Sequence, residues 1–228
     1  MRPPAGDVAA FDFDGTLTRG GSVVPFLVAT TSRRHVLAAA CAVAPSLVRG
    51  ALAGGRAADS GKERLFERVL AGVDPGVVST IGPDFARRHL EHRLRADVRS
   101  RLDWHRQRGD RVLVVSASPE VYVVPAGRLL GVDGVVATRL EVTDGALTGR
   151  YEGLNCRGPE KLRRVQQWID DNGGATGKLW AYGNSRGDLR LLESADVGVN
   201  VGRLGRLGRL HVFPSLAAVS AEAVAASS

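Results

Sequence analysis

A chain of 228 residues, 44% of them hydrophobic, can bury a real core and fits one large domain or a core with a smaller partner. Its two cysteines lie far apart with no metal-type spacing beside them, so neither a disulfide framework nor a zinc site is expected, and a reduced interior is the default. The formal charge of +7 admits an anionic membrane as partner, whereas the lack of a basic platform interleaved with aromatics argues against nucleic acid.

The opening MRPPAGDVAAF is too short for a secretory leader, so a cytoplasmic protein is expected, with peripheral contact to the inner face of the membrane as a further expectation. Residues 8–11 read as a short buried strand ending at Asp12, with Gly15 in the turn. From 19 to about 101 the pattern is helical. HVLAAACAVAPSLVRGALAG (35–54) holds Pro45 and is cut by Arg49, so its apolar part falls short of the ~20 residues a spanning helix needs. It reads as a buried helix, or as a surface that touches lipid or a lipid-like substrate. Ser60 is expected to cap GKERLFERVLAG, whose Leu65, Val69 and Leu70 form a stripe stopped by Gly72. Asp74 and Pro75 start another segment, and DFARRHLEHRL after Pro83 reads as a further one. The arginine-rich run 93–111, broken by Asp97, Asp103 and Asp110, reads as a solvated helix face.

Strands and helices then alternate. RVLVVS is a buried strand, Ser118 and Pro119 are expected to cap a helix that stops at Gly131, and GVVAT is the next strand. RLEVTDGALTGRY carries the hairpin signal Asp144-Gly145. Gly158 and Pro159 open a helix with Leu162, Val165, Trp168 and Ile169 on one face, KLWAYG is a strand, RGDLRLLESA a short helix and VGVNV a last strand. Such alternation implies an α/β fold with a mostly parallel sheet covered on both sides. The terminal LAAVSAEAVAASS reads as frayed.

The chemistry gathers at strand ends. Asp12 and Asp14 point to one side if the extended conformation persists through Phe13, at the carboxyl end of a strand where open α/β sheets bind ligands. Two close carboxylates repel unless a cation holds them, which points to a hard ion such as Mg²⁺ and to one acid attacking while the other moves a proton. Ser116 with the amides of Ala117 and Ser118 makes an anion-binding arrangement, and Lys161 sits in a first helical turn where a nearby phosphate would offset its unfavourable position. Asn184 and Asp188 offer oxygens four residues apart. Taken singly, these groups also read as a cap, a surface lysine and turn residues.

In order, DFDGTLT, VVSAS, the lysine of GPEKL and GNSRGD resemble the four motifs of the haloacid dehalogenase superfamily of phosphohydrolases. The helical insertion is similar to the cap of its phosphoserine-phosphatase-like branch, subfamily IB. The resemblance implies a Rossmann-like parallel-sheet core over 1–18 and 103–215 and an α-helical cap over 19–102 inserted after the first strand, while the low-complexity 216–228 is expected to be a disordered tail. It implies an Mg²⁺-dependent phosphomonoester hydrolase with an aspartyl-phosphate intermediate. Asp12 would be the nucleophile and Asp14 the acid and then the base. Ser116, the amide of Ala117 and Lys161 would hold the phosphoryl oxygens, and Asp12, Asp14 through its carbonyl, Asn184 and Asp188 the metal. The chain departs from the family at Asn184, where an aspartate is usual and whose loss should weaken metal binding. It also departs in 19–34, which has no acid to grip a substrate amine. That apolar stretch with Arg33 and Arg34 looks more like the caps of relatives acting on lipid head groups, so the expected partner is a lipid phosphate of the phosphatidylglycerophosphate or lysophosphatidate type. The alternatives are a phosphoserine or other small-metabolite phosphatase, and a non-catalytic basic module binding membrane or nucleic acid.

Overall fold

The computed structural model describes residues 6–53, 55–174, 177–202 and 212–219. Strand β1 (Val8–Asp12) leads into five helices, α1 (Val23–Thr30), α2 (Arg33–Ala53), α3 (Gly55–Leu70), α4 (Pro75–Arg93) and α5 (Ala96–Gln107). There follow β2 (Arg111–Pro119), α6 (Glu120–Leu130), β3 (Gly134–Thr138), β4 (Leu140–Thr143) and β5 (Ala146–Tyr151), and then α7 (Pro159–Asp171), β6 (Leu179–Gly183), α8 (Leu189–Ser194) and β7 (Val197–Asn200).

Five strands form one sheet in the order β3-β2-β1-β6-β7, every pair parallel. Every residue of central β1 is buried, as a parallel strand covered on both faces requires. Its side chains alternate between two cores. Ala9 and Phe11 join Val112, Val114 and Tyr182 on one face, while Val8 and Ala10 join Leu113, Val115, Val165 and Ile169 on the other. The chain winds from β1 out to β3 and then returns to the far side through β6, so the switch in winding lies between β1 and β6. The carboxyl ends of strands at such a switch leave a crevice for ligands.

Helices α1 and α4 pack onto α6 through a cluster of aromatic rings. Phe26 of α1 lies 4.6 Å from Tyr122 of α6, and Phe85 of α4 lies 5.3 Å from Phe26 and 5.1 Å from Tyr122. The hairpin β4–β5 turns at Asp144 (φ 51°) and Gly145 (φ 78°) and meets α3 through Arg150–Glu67 at 3.0 Å.

Several expectations are corrected. Ser60 lies inside α3 rather than at its cap, and residues 75–93 form one helix with Pro83 inside it, capped by Asp74, whose carboxylate accepts from the Gly76 amide at 2.7 Å. The expected join at 102/103 falls within α5. That helix buries Val98, Arg101, Leu102 and His105 towards the sheet, so its face is not simply solvated. β2 runs on to Pro119, which takes the N-cap position of α6 and leaves Ser118 free for another task. The expected disordered tail begins with a helical turn over 216–219 that buries Leu216 and Val219, and 220–228 lie outside the described residues. Among the described residues no helix is long and apolar enough to cross a membrane.

Candidate active site

The site is built at the carboxyl ends of β1, β2 and β6. β1 stops at Asp12 because the chain turns at once, with the Leu17 amide bonding back to the Asp12 carbonyl at 3.3 Å and the Thr18 amide to the Phe13 carbonyl at 3.0 Å. Gly15 holds φ +79°, a region that favours glycine, and a Cβ there would overlap the Asn184 side-chain amide. The extended conformation therefore ends at Asp12, and the two aspartates take different partners instead of following the two-residue alternation of a strand. Asp12 faces Lys161, whereas Asp14 turns to the Ser22 amide at 2.7 Å and to the Ser118 hydroxyl.

Lys161, 2% exposed, places its Nζ 2.7 Å from Asp12 Oδ1 and 2.5 Å from Asp188 Oδ1. Burial alone would strip its charge, but the two carboxylates outweigh that and hold it protonated. The acids fare differently. Burial and the charge of Asp188 push Asp12 up to about 7, against the pull of Lys161. Asp188 is also penalised by burial, yet Lys161 and the Ser185 hydroxyl and amide carry it below the usual range. Its Oδ2 accepts from the Asn184 amide at 3.2 Å, the Ser185 amide at 3.0 Å and Ser185 Oγ at 2.8 Å.

On the β2 side, Asp12 pairs in register with Val115, the last pair between the two strands, so Ser116 and Ala117 follow just past it within β2. Ser116 is buried, and its Oγ accepts from the Ser118 amide at 3.0 Å. The helical insertion reaches in with Lys62 of α3, whose Nζ donates to the Ala117 carbonyl at 2.7 Å. A cavity of about 700 Å³ opens beside Gly15 and Asn184, walled by Arg19, Arg95, Asp97 and Gly202.

The profile of the haloacid dehalogenase-like hydrolases matches residues 9–193. The chain belongs to this family. Protein CicA of Caulobacter vibrioides is 31% identical over 202 residues, 86% of this chain and 88% of that protein. Phosphoserine phosphatase SerB2 of Mycobacterium tuberculosis is 29% identical over 191 residues, 83% of this chain and 42% of its own length. A crystal structure of a protein of unknown function from Bordetella pertussis Tohama I aligns with a TM-score of 0.76 at 25% identity, covering 92% of this chain and 98% of that one.

For a haloacid dehalogenase-like hydrolase, the residues present can be tested against a divalent cation. Asn184 Oδ1 is buried with no hydrogen-bond partner, which is the state expected of an oxygen reserved for an ion. Together with the Asp12 carboxylate and the Asp14 carbonyl it would offer an all-oxygen donor set of the kind Mg²⁺ takes. Asp188 fits less well than expected as a ligand, because both its oxygens are already committed to Lys161 and the 184–185 turn. Among the described residues no three His, Cys, Asp or Glu side chains gather into a metal cluster, so the set depends on an amide and a carbonyl.

Asp12, Lys161 and Asp188 are thus brought into direct contact, Asn184 is tied to Asp188, and Ser116 and Ala117 follow the Val115 that pairs with Asp12. Sequence reasoning missed Ser22, Tyr122, Ser185 and Lys62, and it gave Ser118 an anion-binding amide, whereas that amide donates to Ser116 Oγ and the hydroxyl to Asp14. Ser22 and Tyr122 stand in no motif, and Ser118 carried the signal of a helix cap, a role its hydroxyl does not play.

Proposed function

We propose that this hydrolase cleaves phosphate monoesters through a covalent aspartyl-phosphate, acting in the cytoplasm. An Asp12 oxygen attacks phosphorus while the bond from phosphorus to the leaving oxygen breaks, and Asp14 gives that oxygen its proton. Asp14 then takes a proton from water as the water oxygen attacks the same phosphorus, releasing phosphate and restoring Asp12. Lys161, Ser116 Oγ and the Ala117 amide neutralise and orient the phosphoryl oxygens, which is most of what this chemistry asks of a protein. Bound at Asp12, the Asp14 carbonyl and Asn184, Mg²⁺ would supply further neutralisation of phosphoryl charge, more weakly held than with an aspartate at 184.

The observation that carries this reading is the fully buried Lys161 ammonium touching Asp12 at the end of the central strand. A solvated acidic turn has no need of such a cation, and a retired binding module has no reason to keep it charged at the cost of burial. For substrate, we favour a lipid head-group phosphate of the phosphatidylglycerophosphate or lysophosphatidate type. Residues 15–58 contain no acid to hold an amine, and the exposed Leu37 and Val48 of α2 offer an apolar surface at which such an ester would be met.

Phosphate release by the purified chain tests both levels. With Mg²⁺, p-nitrophenyl phosphate should be hydrolysed, and Asp12→Asn should reduce turnover to background; equal activity of the variant removes the mechanism. A panel of phosphatidylglycerophosphate, lysophosphatidate, phosphoserine and histidinol phosphate then tests the substrate, and a preference for the amino-bearing esters removes the lipid assignment.

A further inference from the structure

The geometry points to Ser118, Ser22 and Tyr122 as positioning residues, a buried chain of hydroxyls that fixes the Asp14 carboxyl for proton transfer to the leaving group. This rests on the phosphatase reading above. The four residues come from four places in the chain: Asp14 from the loop after β1, Ser22 from the entry to α1, Ser118 from the end of β2 and Tyr122 from α6. Ser22, Ser118 and Tyr122 are all 1% exposed or less.

Each oxygen of Asp14 has its own donor. Oδ1 accepts from the Ser22 amide at 2.7 Å and Oδ2 from the Ser118 hydroxyl, which together set the plane of the carboxyl group. Since Ser118 spends its proton on Asp14, its lone pairs are open to Ser22 Oγ, which donates to it at 3.4 Å. Ser22 Oγ in turn lies 2.8 Å from the Tyr122 hydroxyl. Phe26 and Phe85 clamp the Tyr122 ring, so the far end of the chain is held by packing rather than by solvent.

Three buried hydroxyls are costly unless paired, and apolar residues of similar size would fill this space without that cost. What the hydroxyls supply is direction. A proton-transfer group must be held within a fraction of an ångström of its productive pose by neighbours that are themselves locked. The chain also joins the helical insertion to the sheet at the one acid expected to work on the leaving oxygen.

The test separates positioning from folding by the leaving group. An alkoxide must be protonated as it departs, whereas p-nitrophenolate leaves without a proton. Against the full chain with Mg²⁺, kcat/KM is measured for glycerol 3-phosphate and p-nitrophenyl phosphate in wild type, Ser118→Ala, Ser118→Thr and Tyr122→Phe. General acid catalysis is worth roughly 10²–10⁴-fold, so Ser118→Ala should cost about 10-fold or more on the alkyl ester and less than about 3-fold on the aryl ester. Ser118→Thr keeps the hydroxyl and should recover the alkyl rate. Tyr122→Phe keeps the clamped ring and should show a smaller loss with the same bias, which preserves the test if Ser118→Ala fails to fold. Equal losses on the two esters, or no loss, overturn the positioning role. A wild type that cleaves neither ester overturns the phosphatase reading beneath it, and the chain of hydroxyls falls with it.

Discussion

Lys161 brings one positive charge to two carboxylates, and the neighbours decide which acid keeps its own charge. Asp188 has three further donors from residues 184 and 185, while Asp12 relies on Lys161, so Asp12 is the acid whose pKa rises, to about 7. Folded Asp12 therefore binds a proton that the unfolded chain, at about 3.8, does not, and this contribution to stability grows as pH falls from 7 towards 3.8. His105 has the opposite sign. Burial and then the charges of Arg101 and Arg108 lower it to about 3, so below 6.5 the unfolded chain takes the proton and stability is lost as pH falls. His89, lowered by burial, acts the same way, and Asp110, raised by burial, sides with Asp12. Asp12→Asn removes one of the terms that gain in acid. Its melting temperature should fall more steeply than that of wild type between pH 7 and pH 4.5; parallel profiles in thermal melts would show that Asp12 does not hold that proton. Asp12 stands at the end of β1 and Lys161 in the first turn of α7, where the sequence pattern put them, while Ser116 lies inside a β2 that runs on to Pro119. The direction of Asp14 was not legible, since two-residue alternation holds only while the strand lasts and β1 ends at Asp12.

At the scale of elements, the approach of α4 to α6 decides how the helical insertion sits over the site. Gly82 of α4 lies against the Val121 carbonyl of α6, and a Cβ there would overlap that backbone atom, which cannot swing aside as a side chain could. One position further along α6 is Tyr122. Gly82→Ala gains up to about 1 kcal/mol of helix propensity but forces the helices apart, at about 1–3 kcal/mol for overpacking. Net destabilisation in denaturant melts is expected, with lowered turnover because Tyr122 loses its place; a more stable variant would show that the contact has slack. The strands and the helices after 111 were legible from apolar runs and Gly or Pro stops. The earlier helices were less so. Pro83 suggested a break, but a helix packed against partners tolerates the lost N–H. Charge pattern likewise concealed Arg101, whose guanidinium stacks 3.8 Å from the Trp104 ring while Nε donates to the Tyr182 hydroxyl at 2.8 Å.

Across the whole molecule, the charge of +7 is unevenly laid out. Residues 15–58 hold no acid and five arginines. Within them, α2 buries Val36, Ala39 and Val43 against its neighbours and turns Leu37, Cys41, Pro45 and Val48 outward, each three or four residues from the last and so along one side. Arg33, Arg34 and His35 stand exposed at the start of this stripe. An apolar strip headed by cations suits the surface of an anionic bilayer, where each arginine near the headgroups contributes about 1 kcal/mol and a salt solution screens it over about 8 Å at physiological strength. Sedimentation with vesicles containing anionic lipid should therefore carry the protein down at low salt and release it as salt rises, with little binding to neutral vesicles. Reversing the two charges with Arg33→Glu and Arg34→Glu should weaken binding at every salt concentration, and Leu37→Asp should weaken it even where salt has screened the arginines. Because the stripe lies outside the cluster of Asp12, Lys161 and Asp188, hydrolysis of p-nitrophenyl phosphate should survive these changes while hydrolysis of vesicle-borne esters declines. Equal binding to neutral and anionic vesicles, or variants that sediment like wild type, would leave α2 without this role and the lipid-phosphate assignment without its surface.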